Sequence, residues 1–376
     1  MSLSGLWQPS IKPENLFYGI GCVERHLLEA FPKLSSKAFI ITGKSLAEQT
    51  PLVRELESLL GVHHAGTISY VRQHGPEHDV EQAVETVLQS DGVDTLISLG
   101  GGSPIDTAKV ICMRVKERRG DILKHLTIPT TLSAAECTAA GGYTKADGVK
   151  VGFRQSEMGV STIFYDPVYA RHTPRELWVS TGLRAMDHAV ECLYHPTAAE
   201  VPWKALALWA AGELFQLLPR AAEAHPQDDE TIVRLLLAAY ASSGLKGENI
   251  QGGMGLSHSL GHALGSPYGI PHGITSCLTL GKVVQLMARQ SSQNAGQIAR
   301  LLPVLGGQRT RDASADALEV GSRILAFVDT LGVDTQGLSS RGIQQQERQV
   351  IVNRALKGGM DSPLVVEVDK LVQSLF

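Results

Sequence analysis

The sequence predicts an α/β N-terminal domain built on a parallel, Rossmann-like sheet, followed by an all-α C-terminal domain. Between about residues 37 and 165, short β-branched runs alternate with amphipathic stretches, an order that implies parallel strands joined by right-handed crossovers. Beyond residue 168 strand signals vanish and long segments of helical period take over. The chain has 376 residues, long for one hydrophobic core. Asp166-Pro167 reads as the turn between the halves, giving expected domains 1–167 and 168–376, with a site in the cleft between them.

The elements follow in order. Lys37 to Thr42 reads as a buried strand, ended by Gly43 and followed by a helix from Ser45. Thr67 to Val71 is expected as a second strand. Asp79 to Gln89 is expected as a helix, with Val80, Ala83, Val84 and Val87 on one face. Val93 to Leu99 is a third strand that runs straight into glycines. Gly141 to Phe153 looks like a hairpin turning at Asp147-Gly148, and Ile163-Phe164-Tyr165 is a last strand. Trp203 to Leu218, Glu230 to Leu245, Ile274 to Ala288 and Ser314 to Leu331 carry the helical period of the second half.

Composition narrows the class of protein. Hydrophobic residues make up 43% of the chain and charged residues 19%, as in a well-packed globular enzyme. A net charge of -4 argues against a nucleic-acid-binding surface. No apolar run reaches the roughly 18–20 residues of a membrane span. The first residues lack the basic and apolar regions of a signal peptide. Cys22, Cys112, Cys137, Cys192 and Cys277 are scattered, odd in number and form no C-x-x-C. They favour a reducing compartment, so a cytoplasmic protein is expected.

Two motifs carry chemistry. In the first, a buried strand enters Gly100, Gly101 and Gly102, and Ser103-Pro104-Ile105-Asp106 opens a helix. Glycines let the backbone approach a ligand, and a helix N-terminus offers unpaired N–H groups and a partial positive charge. This is a pyrophosphate cradle, although a plain strand-to-helix turn would have the same glycines. The next strand delivers Ile128-Pro129-Thr130-Thr131, and the Thr130 and Thr131 hydroxyls can bond a nucleotide ring or carboxamide.

The second motif is Gly255-Leu256-Ser257-His258-Ser259-Leu260-Gly261-His262, closed by Pro271-His272-Gly273. His258 and His262 are four apart and share a helical face, and Pro271 marks a break from which His272 returns. Such a cluster builds either a divalent-metal site or a general-acid and substrate-orienting pocket. The bland alternative is three histidines satisfied separately by backbone carbonyls.

With the glycine turn, I-P-T-T, the hairpin around Lys150, Tyr165-Asp166-Pro167, Gly182 to Tyr194 and the histidine cluster in this order, the chain resembles the iron-containing alcohol dehydrogenase family. Within it the chain looks most like the maleylacetate reductases. Leu132 to Thr138 is one residue shorter than in typical members, as in that subfamily, and His188-Ala189-Val190-Glu191 leading to Leu193-Tyr194 echoes it. The resemblance implies a homodimer binding NADPH or NADH, with hydride transfer at a carbonyl carbon. It puts Gly43, Lys44, Gly100, Gly101, Gly102, Ser103, Asp106, Thr130 and Thr131 on the nucleotide. Lys150 is either a cofactor contact or a solvated hairpin residue. NAD-preferring relatives often carry an Asp after the first strand, whereas here the strand leads into Gly43-Lys44-Ser45. Exchanging a carboxylate for a lysine suits a 2′-phosphate, so NADPH is preferred.

The resemblance breaks at one residue. Metal-dependent members bind an ion such as Fe2+ or Zn2+ through an Asp, a His four residues later and two more histidines. Three of these positions match His188, His258 and His272, but the Asp position holds Arg184. A guanidinium has no lone pair to donate and repels a cation. Arg184 therefore either stands in for the metal against a developing oxyanion or clamps a substrate carboxylate. Asp187 is expected to pair with Arg184 at i,i+3 rather than to rescue a metal site. His262 lies by analogy near the reacting carbon, as a proton relay. Glu191 and His195 are expected to be structural.

The leading expectation is a metal-independent NAD(P)H-dependent reductase of an oxo or unsaturated carboxylic acid such as maleylacetate, acting through Arg184, His188, His258, His262 and His272. Its partners would be a small acidic molecule, with no nucleic acid and no membrane. The alternatives are a metal-dependent alcohol dehydrogenase with Asp187 as ligand, and a non-redox enzyme of elimination, cyclisation or isomerisation.

Overall fold

The computed structural model describes residues 6–72, 75–145, 150–359 and 363–376. The chain divides into two compact units: Pro9–Thr173 with Pro226–Tyr240, and Met1–Gln8 with Pro174–His225 and Ala241–Phe376.

The first unit is the α/β one. Its strands are β1 (Asn15–Tyr18), β2 (Lys37–Ile41), β3 (His64–Ile68), β4 (Val93–Gly100), β5 (Lys124–Pro129), β6 (Ala140–Thr144), β7 (Lys150–Arg154) and β8 (Thr162–Tyr165). Six of them form one sheet in the order β1-β8-β5-β4-β2-β3, parallel throughout. The strands read as continuous apolar runs because helices cover both faces. Along β2, Phe39 and Ile41 pack on one side with Ile68, Val80, Val84 and Val87, the last three from the helix Glu77–Leu88. Ala38 and Ile40 point the other way, onto Leu52, Val53, Leu56 and Leu60 of the helix Leu52–Leu60. Each such large aliphatic side chain, fully buried, contributes about 1.5–3 kcal/mol.

Chain order reverses direction in the sheet between β2 and β4: β3 lies outside β2, and β5 lies on the far side of β4. In open parallel sheets this switch point is where ligands bind, beyond the carboxyl ends of the strands. Gly43 and Lys44 follow β2, and Gly101 and Gly102 follow β4. Topology thus brings two of the sequence-predicted nucleotide segments to that crevice. β6 and β7 form the expected antiparallel hairpin, with Gly141 opposite Phe153; its turn at Asp147-Gly148 lies outside the described residues.

Several boundaries differ from the expectations. The second strand runs His64–Ile68 rather than Thr67 to Val71, because Gly66 fits under the Phe39 ring: a Cβ there would lie 2.5 Å from Phe39 Cε1. β1 is an edge strand, partly exposed, whose sequence carries little periodicity. The α/β unit also runs past Pro167, the expected domain end, to Thr173. The Asp166 carboxylate accepts from the backbone N–H of Gly21, Val23 and Val168, each at 3.1 Å, and the Thr173 hydroxyl donates to Thr130 O at 2.6 Å. These bonds hold the segment to the sheet.

Four helices carry most of the candidate residues. α1 (Gly102–Arg119) belongs to the α/β unit; α2 (Arg175–Tyr194), α3 (Leu256–Tyr268) and α4 (His272–Gln290) belong to the second. The second unit also contains Ala205–Leu217 and Ala313–Thr330, close to the periodic segments of the sequence. Asp229–Ser243 begins in the α/β unit. Pro174 and Pro271 hold extended backbone immediately before α2 and α4, where a missing N–H costs the helix nothing. Leu260, Ala263, Leu264, Ile274 and Leu278 form part of the core between α3 and α4. Among the described residues no strand follows β8, and no helix is long and apolar enough to cross a membrane.

Candidate active-site residues

In the α/β unit, β4 delivers Gly100 with φ +141°, a conformation that favours glycine, and a Cβ there would meet Pro104 Cγ at 2.9 Å. Gly101 caps α1 without any side-chain hydrogen bond to the first turn. A Cβ on Gly101 would lie 2.8 Å from Thr131 Cγ2, so Thr131 walls the turn from the neighbouring strand end. The Thr130 N–H donates to Gly100 O at 2.9 Å and fixes the two strand ends together, while the Thr131 hydroxyl donates to Ser133 Oγ at 3.1 Å. Gly102 and Ser103 remain partly exposed at the helix start. The result is a helix N-terminus with no capping side chain, suited to a phosphate.

Asp106 lies one turn further on, 3.2 Å from Lys109 Nζ. Lys109 escaped the sequence reading. Its ammonium is fully buried and also donates to Ala135 O at 2.7 Å, Ala140 O at 2.9 Å and Thr138 Oγ1 at 3.2 Å. It clips the segment after Thr131 to α1. The available signal was a lone lysine within an apolar helical run, three residues after an aspartate. Lys44 is exposed and lies 3.8 Å from Glu48, an i,i+4 pair on the surface. Lys150 begins β7, and its side chain lies outside the described residues.

In the second unit, Arg184, Asp187, His188 and Glu191 fall at i, i+3, i+4 and i+7 of α2, one stripe of that helix. α3 brings Ser257, His258 and His262, and α4 brings His272, Thr275 and Ser276. Three glycines allow this approach. A Cβ on Gly261 would come within 3.0 Å of Thr275 Oγ1 and 3.3 Å of Arg184 Nη1, one on Gly265 within 2.9 Å of His272 Nδ1, and one on Gly273 within 2.6 Å of the Ser180 backbone.

Arg184 is 11% exposed. Its Nη1 donates to Ser276 Oγ at 3.2 Å and lies 3.5 Å from Asp187 Oδ2, the expected i,i+3 pair. Burial pulls the guanidinium below its ordinary value, against the opposing pull of Asp187 and Glu191. Asp187 is fully buried and accepts from Ser257 Oγ at 2.9 Å and Ser276 Oγ at 2.6 Å. Burial pushes its carboxyl up, but His258, Arg184 and Ser276 outweigh this and hold it below the ordinary range. Glu191 accepts from the Ser257 N–H at 2.7 Å and lies 2.7 Å from His258 Nδ1.

The histidines differ in state. Burial and Arg184 push His258 down, yet Asp187 and Glu191 together leave it above its ordinary value, and its buried Nε2 has no hydrogen-bond partner among the described residues. His188 is held well below its ordinary value by burial, then by His258 and Arg184; its Nδ1 also lacks a partner among the described residues. The His188 and His258 rings lie 4.7 Å apart, and those of His262 and His272 5.6 Å apart, edge to face. His262 is exposed and His272 half-buried. His195, by contrast, bonds Gly253 O at 3.0 Å. Among the described residues the group of donors close enough to share an ion is Asp187, Glu191 and His258, within 4.8 Å of one another. His188 and His272 do not complete it.

Two family models match the chain: iron-containing alcohol dehydrogenase over residues 13–167, and the C-terminal region of the Fe-containing alcohol dehydrogenase family over residues 178–375. Dehydrogenase ALT3 of Alternaria alternata is 34% identical over 187 residues, 44% of this chain and 48% of that protein. The chain thus matches about half the length of such relatives. The maleylacetate reductase of Rhizobium sp. (strain MTP-10005) is 27% identical over 315 residues, 81% of this chain and 85% of that protein. Its crystal structure superposes with a TM-score of 0.82 over 99% of both chains at 24% identity, a likeness of fold.

Proposed function

The chain belongs to the iron-containing alcohol dehydrogenase family, and from that premise we propose that it is a metal-independent, NAD(P)H-dependent reductase of a small oxo or unsaturated carboxylic acid. Maleylacetate is the first candidate, on the likeness to maleylacetate reductases. The observation that carries the reading is Arg184, a largely buried cation of which, among the described residues, Nη1 is engaged, by Ser276 and Asp187. The rest of its fork is left for an anion, and guanidinium suits a carboxylate bidentately.

The nucleotide fits the α/β unit. Gly100, Gly101, Gly102 and Ser103 would hold a pyrophosphate on the open N-terminus of α1, with Asp106, Thr130 and Thr131 as further contacts and Gly43 and Lys44 towards the adenosine end. NADPH, preferred over NADH, supplies the hydride when bound.

A divalent ion fits the helical unit poorly. Asp187, Glu191 and His258 are near enough to share one, which favours the competing reading of a metal-dependent alcohol dehydrogenase. Their facing atoms are already spent, however: Glu191 on the Ser257 N–H and His258 Nδ1, Asp187 on two serine hydroxyls, with the Arg184 cation 3.5 Å away. An ion would have to displace the Nδ1 proton and sit beside a fixed positive charge. His188, His258 and His272, the remaining metal positions of the family, lack the acidic fourth.

In this mechanism the protein supplies electrostatics and positioning. Arg184 binds the substrate carboxylate and keeps it oriented. With its proton on Nδ1, His258 presents the Nε2 lone pair, which accepts from the hydroxyl that forms as the carbonyl oxygen is protonated. His188 stays neutral, so it adds no competing cation. His262, exposed beside His272, returns a proton from solvent.

Oxidation of NADPH by the purified enzyme, with maleylacetate and with a neutral ketone of the same chain length, tests the proposal. The acid should be turned over and the ketone poorly. Equal turnover of both, or none of the acid while NADPH binds, would refute it.

A further inference from the structure

Glu191 has a dual engagement that its sequence position does not announce. The residue is fully buried on α2, yet its carboxylate serves α3. One oxygen accepts the Ser257 N–H at 2.7 Å, within the first turn of α3. The other lies 2.7 Å from His258 Nδ1 and 3.4 Å from the His258 N–H. The N-cap residue, Gly255, contributes no side-chain bond. Glycine is needed there for space: a Cβ would lie 2.4 Å from Glu191 Oε1 and 2.5 Å from its carboxyl carbon. α3 therefore takes its capping carboxylate from another helix, where the helix dipole favours it.

A cap alone is satisfied by backbone N–H groups and has no use for an imidazole. The short contact to Nδ1 is the additional feature. Glu191 oxygens already engaged by N–H donors act as acceptors, so the proton of this contact resides on Nδ1. The opposite ring atom, Nε2, is the one that is buried without a partner among the described residues.

We propose that Glu191 is a positioning residue that keeps a proton on His258 Nδ1 and so turns the Nε2 edge of the ring to the reacting oxygen. This rests on the reading of the pocket given under the proposed function. The carboxylate fixes both the rotation of the ring and the nitrogen that is free to act, as carboxylates do for functional histidines elsewhere.

Glu191→Gln tests it without changing shape. The amide oxygen can still accept the Ser257 N–H, but the amide nitrogen then faces Nδ1 with a hydrogen and drives the ring proton to Nε2. Histidine 15N spectra of wild type and variant, with His258 assigned from a His258→Gln sample, should show Nδ1–H in the first and Nε2–H in the second. The turnover number with the oxo acid should fall about 10- to 100-fold while NADPH affinity holds. Gly255→Ala, which presses on the carboxylate from behind, should lower turnover in the same direction and keeps the test alive should Glu191→Gln not fold. Retention of Nδ1–H in Glu191→Gln, or a shifted proton with unchanged turnover, would overturn the proposal. If the wild type reduces no oxo acid, the functional reading fails while the spectra still decide the role of Glu191.

Discussion

Replacing Arg184 by alanine separates substrate binding from nucleotide binding. The guanidinium belongs to the helical unit, whereas the glycine turn belongs to the α/β unit. Its loss removes the cation proposed to hold the substrate carboxylate. Removal of one preorganised donor from a water-poor site costs about 100- to 1,000-fold in turnover, roughly 2.7–4 kcal/mol. Stability should suffer less. Breaking a buried ion pair outright costs about 3–5 kcal/mol, but Asp187 keeps Ser257 at 2.9 Å, Ser276 at 2.6 Å and His258 at 3.6 Å. Deleting a buried cation also removes its own desolvation penalty, so a net loss of about 1–2 kcal/mol is expected. The assays are kcat/KM with the oxo acid, NADPH affinity by fluorescence titration, and the urea midpoint. Arg184→Lys, which keeps charge but not the fork, should recover only part of the activity. Nucleotide affinity falling as far as kcat/KM, or a change in kcat/KM below about threefold, would refute the reasoning.

Gly101→Ala should weaken NADPH binding by at least about tenfold, roughly 1.4 kcal/mol, because its Cβ would sit 2.8 Å from Thr131 Cγ2 at the start of α1; an unchanged dissociation constant would remove the cradle from the account. Lys109→Met should destabilise the fold by about 1–3 kcal/mol, since it removes the buried ammonium shared by Asp106, Ala135 O, Thr138 Oγ1 and Ala140 O; a urea midpoint equal to wild type would contradict this. His125, buried within β5, is pushed down to about 3, by burial first and then by Lys109. Its unfolded counterpart protonates below about 6.5, so stability should fall as pH drops below that value, by up to about 1.4 kcal/mol per unit. His125→Gln should flatten this slope, and a slope identical in both proteins would show that His125 does not set it.

What could be read from the sequence was local. Gly100 to Pro104 announces its turn because only glycine tolerates the positive φ at residue 100 and the approach of Thr131 to residue 101. The Arg184 departure, the His258 and His262 spacing and the helix that starts at His272 after Pro271 are likewise written in short stretches. What was missed depends on partners far along the chain. Glu191 meets Ser257 and His258 across more than sixty positions, about the full span between α2 and α3. Lys109 reaches the segment after Thr131 only because β5 lies beside β4. β1 takes its identity from pairing with β8, and Asp166 and Thr173 move the end of the α/β unit past Pro167 through bonds to Gly21, Val23 and Thr130. Such contacts leave no period in the sequence.

The most direct test of metal-independent reduction is the rate of NADPH oxidation with maleylacetate after exhaustive chelation, with metal content measured on the same sample. The account predicts an undiminished rate at negligible metal. Loss of activity on chelation, restored by Zn2+ or Fe2+, would contradict it and return Asp187, Glu191 and His258 to the role of metal ligands.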